Sequence, residues 1–297
     1  MIFGEFVINT LSLGSLYALV ALGLVFVYGI LKLVNFAYGE YVMVAGYSMY
    51  ILGAFTPVPW WVTMIVAVAM AALTSYLTEL VAFRRVRQKS DNAALVTSFA
   101  VMVLLQNAVL LFVSPRARAV KLPSAFSESI TILGVVTPLR NVLTIATTLV
   151  LLLGLTLLMK YTVLGIAMRA AADKFTTTRL MGVQANLVIS FAFIISGFLA
   201  GVVSIFWVGR SASVDPLIGF TPLLIAFIAT VIGGMNSLVG AVAGGYVYGL
   251  LFNILSITLP ASMISYRDAF MFMIVILFLL LRPEGMIKGN YTEERVG

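Results

Sequence analysis

Three stretches concentrate the polar residues that could act inside an otherwise apolar chain, and none of them carries a histidine or a cysteine. The first, Tyr28-Gly29-Ile30-Leu31-Lys32-Leu33-Val34-Asn35-Phe36-Ala37-Tyr38-Gly39-Glu40, puts an amide and a carboxylate among glycines. Asn35 and Glu40 could hydrogen-bond backbone groups freed by a broken helix or face a cavity. An ordinary turn with an interfacial carboxylate fits the same spacing. The second is Gly233-Gly234-Met235-Asn236-Ser237-Leu238-Val239-Gly240, followed by Gly244-Gly245 and Gly249. Small residues three and four apart let helices approach closely in lipid, while a glycine-broken helix is also how transporters place backbone dipoles beside a midplane pathway. Both readings stay open. The third runs from Gly165 through Arg169-Ala170-Ala171-Ala172-Asp173-Lys174 to Arg179-Leu180-Met181-Gly182. Its alanines favour helix, Arg169 and Asp173 sit at i and i+4, and Gly182 suits a C-terminal stop. A short polar-faced helix results, either a solvated connector or a docking helix for a partner.

What is missing narrows the chemistry further. There is no histidine and no cysteine, which removes the usual neutral-pH acid/base group, thiolate nucleophiles and the commonest metal ligands. No carboxylates gather elsewhere, and no GxxxxGK[ST] occurs to bind ATP. No catalytic residue, cofactor or metal site is expected, and the chain does not read as an enzyme.

The elements that must position these stretches are membrane helices. Hydrophobic residues are 62% of the 297, against about 45–50% in soluble domains, and charged residues 10%, against about 25%. That much apolar surface cannot be hidden from water. Uncharged runs long enough to span about 30 Å of hydrocarbon predict an all-α bundle of eight or nine crossings: 6–31, 38–56, 60–83, 92–113, 141–159, 186–208, 217–233, 237–259 and 265–281. The run before Gly233 is short enough for a half-helix or re-entrant piece. Continuous rather than alternating apolarity excludes a β-barrel. The whole of 1–297 forms one transmembrane domain, with 160–185 as its principal loop. Glu79 is expected at the interface, Arg267 and Asp268 paired at a helix start, and Asp215-Pro216 in a turn.

A net charge of +7 belongs to topology here, not to nucleic acid. If Arg84, Arg85, Arg87 and Lys89 are cytoplasmic, so are Lys32, Lys160, Arg169, Lys174, Arg179, Arg282, Lys288 and Arg295. Arg116, Arg118, Lys121 and Arg140 oppose them. The expected orientation is N-terminus outside and C-terminus cytoplasmic, with Met1–Leu31 kept as the first helix and not removed as a signal peptide.

These residues resemble a known family. Gly14-Ser15-Leu16-Tyr17-Ala18-Leu19, Tyr28-Gly29 and Asn35 to Glu40 are similar to the start of branched-chain amino acid ABC transporter permeases, which usually have His where Tyr38 stands. Gly165 to Asp173 and Leu180-Met181-Gly182-Val183 resemble the loop through which such permeases contact their ATPase. Gly219-Phe220, Gly233 to Gly240, Gly244-Gly245 and Arg282-Pro283-Glu284-Gly285 match the C-terminal pattern. The resemblance implies the shorter of two permease subunits in a bacterial-type inner membrane. It also implies partners: cytoplasmic ABC ATPases, a second homologous permease or a second copy, an extracytoplasmic solute-binding protein, and lipid. Cargo would be branched-chain amino acids or a related small solute such as urea, an amide or an aromatic acid. Docking to the ATPase falls to Arg169, Ala170, Ala171, Asp173, Lys174, Arg179 and Gly182; the path or helix break, to Asn35, Glu40, Gly233, Gly234, Asn236 and Ser237. A self-contained carrier or channel is the competing reading, although no acidic cluster supplies a coupling-ion site.

Overall fold

The computed structural model describes residues 2–86, 91–132, 134–173, 178, 180–235, 237–283 and 285–287. In lipid every backbone N–H and C=O must find a partner within the protein, so each apolar run closes into a helix. The elements are α1 (Ile2–Leu31), α2 (Tyr38–Phe55), α3 (Trp60–Thr78), α4 (Asp91–Phe112), α5 (Leu139–Tyr161), α6 (Val163–Asp173), α7 (Ala185–Ser211), α8 (Phe220–Gly233), α9 (Leu238–Thr258) and α10 (Arg267–Leu281). Proline sets several starts: Pro59 precedes α3 and Pro138 precedes α5, where a missing N–H costs nothing. Seven helical stretches are long and apolar enough to cross a membrane among the described residues. The expected spans at 38–56 and 217–233 are α2, with its polar start, and α8, a helix of 14 residues.

Two short antiparallel ribbons mark one end of the bundle. β1 (Arg118–Ala119) pairs with β4 (Ser213–Val214), and β2 (Ser129–Ile132) forms a hairpin with β3 (Val135–Pro138). We call this the ribbon end. The opposite end carries α6 and the α8–α9 turn. There, the backbone N–H groups of Met286 and Ile287 donate to the carbonyls of Ile232 and Gly233, satisfying the end of α8.

α1 and α7 run antiparallel through the centre, as their cross-bonds show. Arg210 at the end of α7 donates to Ser12 near the start of α1, while Ser196 Oγ donates to the Gly23 carbonyl. α9 also lies antiparallel to α1: Asn253 Nδ2 bonds Thr10 Oγ1, Tyr246 meets Ser15, and Gly245 packs on Ala18. α3 crosses α7 through Gly197 and Gly201, and Ser75 donates to the Phe193 carbonyl at 2.6 Å.

Glu79, expected at the interface, has its side chain packed inside the bundle. It is fully buried, on the same face of α3 as Ala67, Ala71 and Ser75 at four-residue intervals, and it opens a π-helical turn (Glu79–Phe83). Ser190 Oγ donates to its Oε2 at 2.7 Å, and Arg84 Nη2 lies 3.3 Å from the same oxygen.

Candidate functional site

The first polar stretch breaks the chain inside the bundle. α1 ends at Leu31, Lys32 turns the backbone with φ 55, and α2 begins with Tyr38 packed on Gly23, two turns back along α1. Asn35 holds this return: its Oδ1 accepts from the Ala37 N–H, and its Nδ2 donates to Tyr41 Oη. Glu40, in the first turn of α2, is buried and accepts from Gln106 Nε2 at 2.8 Å. Its second oxygen is buried with no hydrogen-bond partner, as is Tyr38 Oη.

The same construction recurs in the second half of the chain, inverted. α7 ends at Ser211 and Ala212 follows with φ 52; it and Lys32 are the only non-glycine residues with positive φ among the described residues. Each donates its N–H four residues back, Lys32 to Tyr28 and Ala212 to Val208. Asp215 Oδ1 accepts from Leu217 N–H as Asn35 Oδ1 does from Ala37, and Ile218 bonds Asp215 as Tyr38 bonds Asn35. One constant offset relates all these pairs and carries Gly39 onto Gly219. Those two glycines touch, each lying where a Cβ would strike the other's carbonyl oxygen. Exchanging the halves exchanges this pair, so the pseudo-two-fold axis passes beside it. The N-termini of α2 and α8 therefore meet inside the bundle, with their helix dipoles directed at one region.

Two neighbouring cavities open beside this junction. One of about 620 Å³ is lined by Gln106, Ser211, Asp215, Phe220 and Thr221. The other, about 600 Å³, lies between α1, α7, α8, α9 and α10. Trp207, Ser211, Phe220 and Thr221 border both.

The glycine-rich second stretch sits elsewhere, at the α8–α9 turn. Gly233 packs on Gly240 and Gly244 on Ala229, so these glycines make a helix crossing. Gly234 turns with φ 106, and Ser237 caps α9 by accepting from the Gly240 N–H at 3.0 Å. Asn236 lies outside the described residues. The counterpart of the Asn35 break is thus Asp215–Gly219, which the sequence had marked only as a turn. Equal offsets from Gly29 to Gly209 and from Gly39 to Gly219 were the available signal.

The third stretch forms α6 as expected, but with more apolar surface. Met168 and Ala171 are buried against the bundle, while Val163 and Ile166 are exposed, as are Leu180 and Met181 beyond it. Arg169 lines a groove of about 490 Å³ with Lys160, Leu22 and Val239. Ala170 lies on the exposed side of α6, its carbonyl accepting from Thr178 Oγ1. Gly182 has φ 87, as a helix-terminating glycine does. Lys174 and Arg179 lie outside the described residues, as does the side chain of Asp173.

Inverted repeats and interrupted helices are features of transporter folds. A family model described as branched-chain amino acid transport system, permease component, matches residues 6–279. The chain belongs to that permease family. It is 32% identical to the high-affinity branched-chain amino acid transport system permease protein BraD of Pseudomonas aeruginosa, over 97% of this chain and 96% of that one. Identity to the permease protein LivH of Escherichia coli K12 is also 32%, over 96% of each. A probable LivH from Methanocaldococcus jannaschii is 26% identical over 94% of this permease and 90% of its own length.

Proposed function

We propose that this permease is a membrane-spanning subunit of a binding-protein-dependent ABC importer. It carries branched-chain amino acids, or a related small solute such as urea, an amide or an aromatic acid, across the inner membrane. The observation that carries this reading is the family match along nearly the whole chain. Separate cytoplasmic subunits hydrolyse the ATP, a second permease or a second copy completes the path, and an extracytoplasmic binding protein delivers cargo.

In this reading the α6 end faces the cytoplasm, where the basic residues Arg84, Lys160 and Arg169 lie. The ribbon end, with the start of α1, faces outward. α6 through Gly182 is the docking element: exposed Val163, Ile166, Leu180 and Met181 offer apolar contact, and Arg169 adds a charge. Docking transmits closure of the ATPases to helices packed on α6, and works only through contacts that differ between states. The junction at Gly39 and Gly219 is the fixed region about which the inverted halves move.

The test is co-purification from native membrane of the wild type and of a variant carrying Arg169→Ala and Asp173→Ala. Recovery of a P-loop ATPase and a second permease subunit, weakened in the variant, is the expected result. Leucine uptake by the purified chain alone, without ATP, would replace the importer with a self-contained carrier.

A further inference from the structure

We infer that the cavity bounded by α1, α7, α8, α9 and α10 is a binding site for a zwitterionic amino acid with an apolar side chain, Arg210 taking the carboxylate and Asp268 the ammonium. This rests on the import reading above and names where, within the permease, such a cargo is held.

The walls are apolar and aromatic. Tyr17 stands edge-on to Tyr248 with ring centroids 5.2 Å apart and lies 6.4 Å from Trp207; Ile225 and Ile228 close the α8 side. At about 600 Å³ the space lies in the range of small-ligand sites, about 300–1,000 Å³. Such walls accept an aliphatic or aromatic side chain and reject a charged one, which would lose its hydration without a partner.

Charge enters only at the ribbon end of the cavity. Arg210 is half-buried and held by neutral groups: its Nη2 donates to Ser12 Oγ at 2.7 Å, and Ser12 donates to Asn141 Oδ1 at 3.2 Å. No carboxylate pairs with Arg210 among the described residues. Its guanidinium fork is therefore positioned yet lacks a counter-ion, which is what bidentate capture of a carboxylate needs. Arg267, which also lines the cavity, is occupied otherwise. Its guanidinium stacks 3.8 Å from the Phe252 ring centroid, and Nη1 donates to Ser256 Oγ. The Arg267–Asp268 contact is long, at 3.8 Å. Asp268 is thus the loosely paired anion at the mouth, and an α-ammonium is a compact cation that fits it. Only a ligand bearing both charges satisfies both groups.

The chain has no cysteine, so Leu224→Cys, which lines this cavity and not its neighbour, gives this subunit a single thiol reporter. Membrane vesicles containing the full importer are exposed to a membrane-impermeant maleimide with L-leucine, isovalerate or isopentylamine. L-leucine slows labelling, the two single-charge analogues do not, and Arg210→Gln or Asp268→Asn raises the protecting concentration about tenfold or more. Unchanged ligand-free labelling in both variants shows that they are folded. Equal protection by isovalerate overturns the zwitterion assignment. Full-rate labelling in L-leucine, while the same vesicles accumulate leucine with ATP, overturns the cavity assignment and leaves the import reading standing. No protection and no accumulation in any vesicle overturns both.

Discussion

Gly39 and Gly219 stand back to back at the meeting of α2 and α8, each occupying the space a side chain on the other would need. The contact joins two helix N-termini that belong to opposite halves of an inverted repeat. It also explains why neither position tolerates a Cβ, since backbone cannot swing aside as a side chain can.

Gly39→Ala and Gly219→Ala are each expected to destabilise the permease by about 1–3 kcal/mol, read as a lower melting temperature in detergent. Gly29→Ala is the control, because nothing lies within 4 Å of the Cβ it would introduce. Equal melting of all three variants would remove the steric role from the pair.

A second expectation concerns Gln106, which donates to the buried carboxylate of Glu40 at 2.8 Å. Gln106→Leu strips a polar partner from a carboxylate whose other oxygen already has none. The expected cost is about 2–3 kcal/mol, since a hydrogen bond to a charged group is lost and nothing replaces it. Glu40→Leu combined with Gln106→Leu should cost less than the single change, because no buried polar group is then orphaned. A double-mutant cycle on thermal unfolding checks the sign, and strict additivity would argue against the pairing.

Much of this architecture was legible in the residues. Span positions follow from uncharged apolar runs long enough to cross the hydrocarbon, and the helix at Arg169 follows from its alanines. The inverted repeat was not visible, because its halves share a backbone construction more than side chains. Lys32 and Ala212 adopt the same left-handed turn, and Asn35 and Asp215 accept the same kind of bond, although each pair differs in chemistry. The more conspicuous glycines of the second half, at Gly233, serve a helix crossing instead. Glu79 was placed by its nearness to the basic run that follows it, although its four-residue spacing from Ala67, Ala71 and Ser75 puts it on the buried face of α3.

That buried carboxylate gives the third prediction. Arg84→Ala takes the guanidinium away from Glu79 inside the bundle while Ser190 still donates to it, so the expected loss is about 2–3 kcal/mol. That loss is smaller than for a fully enclosed pair because the Arg84 side chain is 35% exposed. Glu79→Gln with Arg84→Ala should recover part of it. Chemical denaturation in a mild detergent measures both, and a neutral Arg84→Ala would mean that water already stabilises the carboxylate.

The last prediction separates docking from folding at the α6 end. Ile166 and Leu180 are exposed apolar residues, while Met168 on the same helix is buried against the bundle. Ile166→Asp and Leu180→Asp place charge on exposed positions, so the purified permease should melt within about 0.5 kcal/mol of wild type. A charge forced into an apolar partner interface, by contrast, is costly to desolvate. Both variants should therefore lose ATPase recovery in pull-down and leucine uptake in cells together. Met168→Asp is the opposite case, expected to unfold the loop helix and lower the melting temperature before any partner is added. If Ile166→Asp and Leu180→Asp keep full ATPase recovery, the partner does not rest on this apolar patch, and the docking contact must be carried by the charged residues around Arg169.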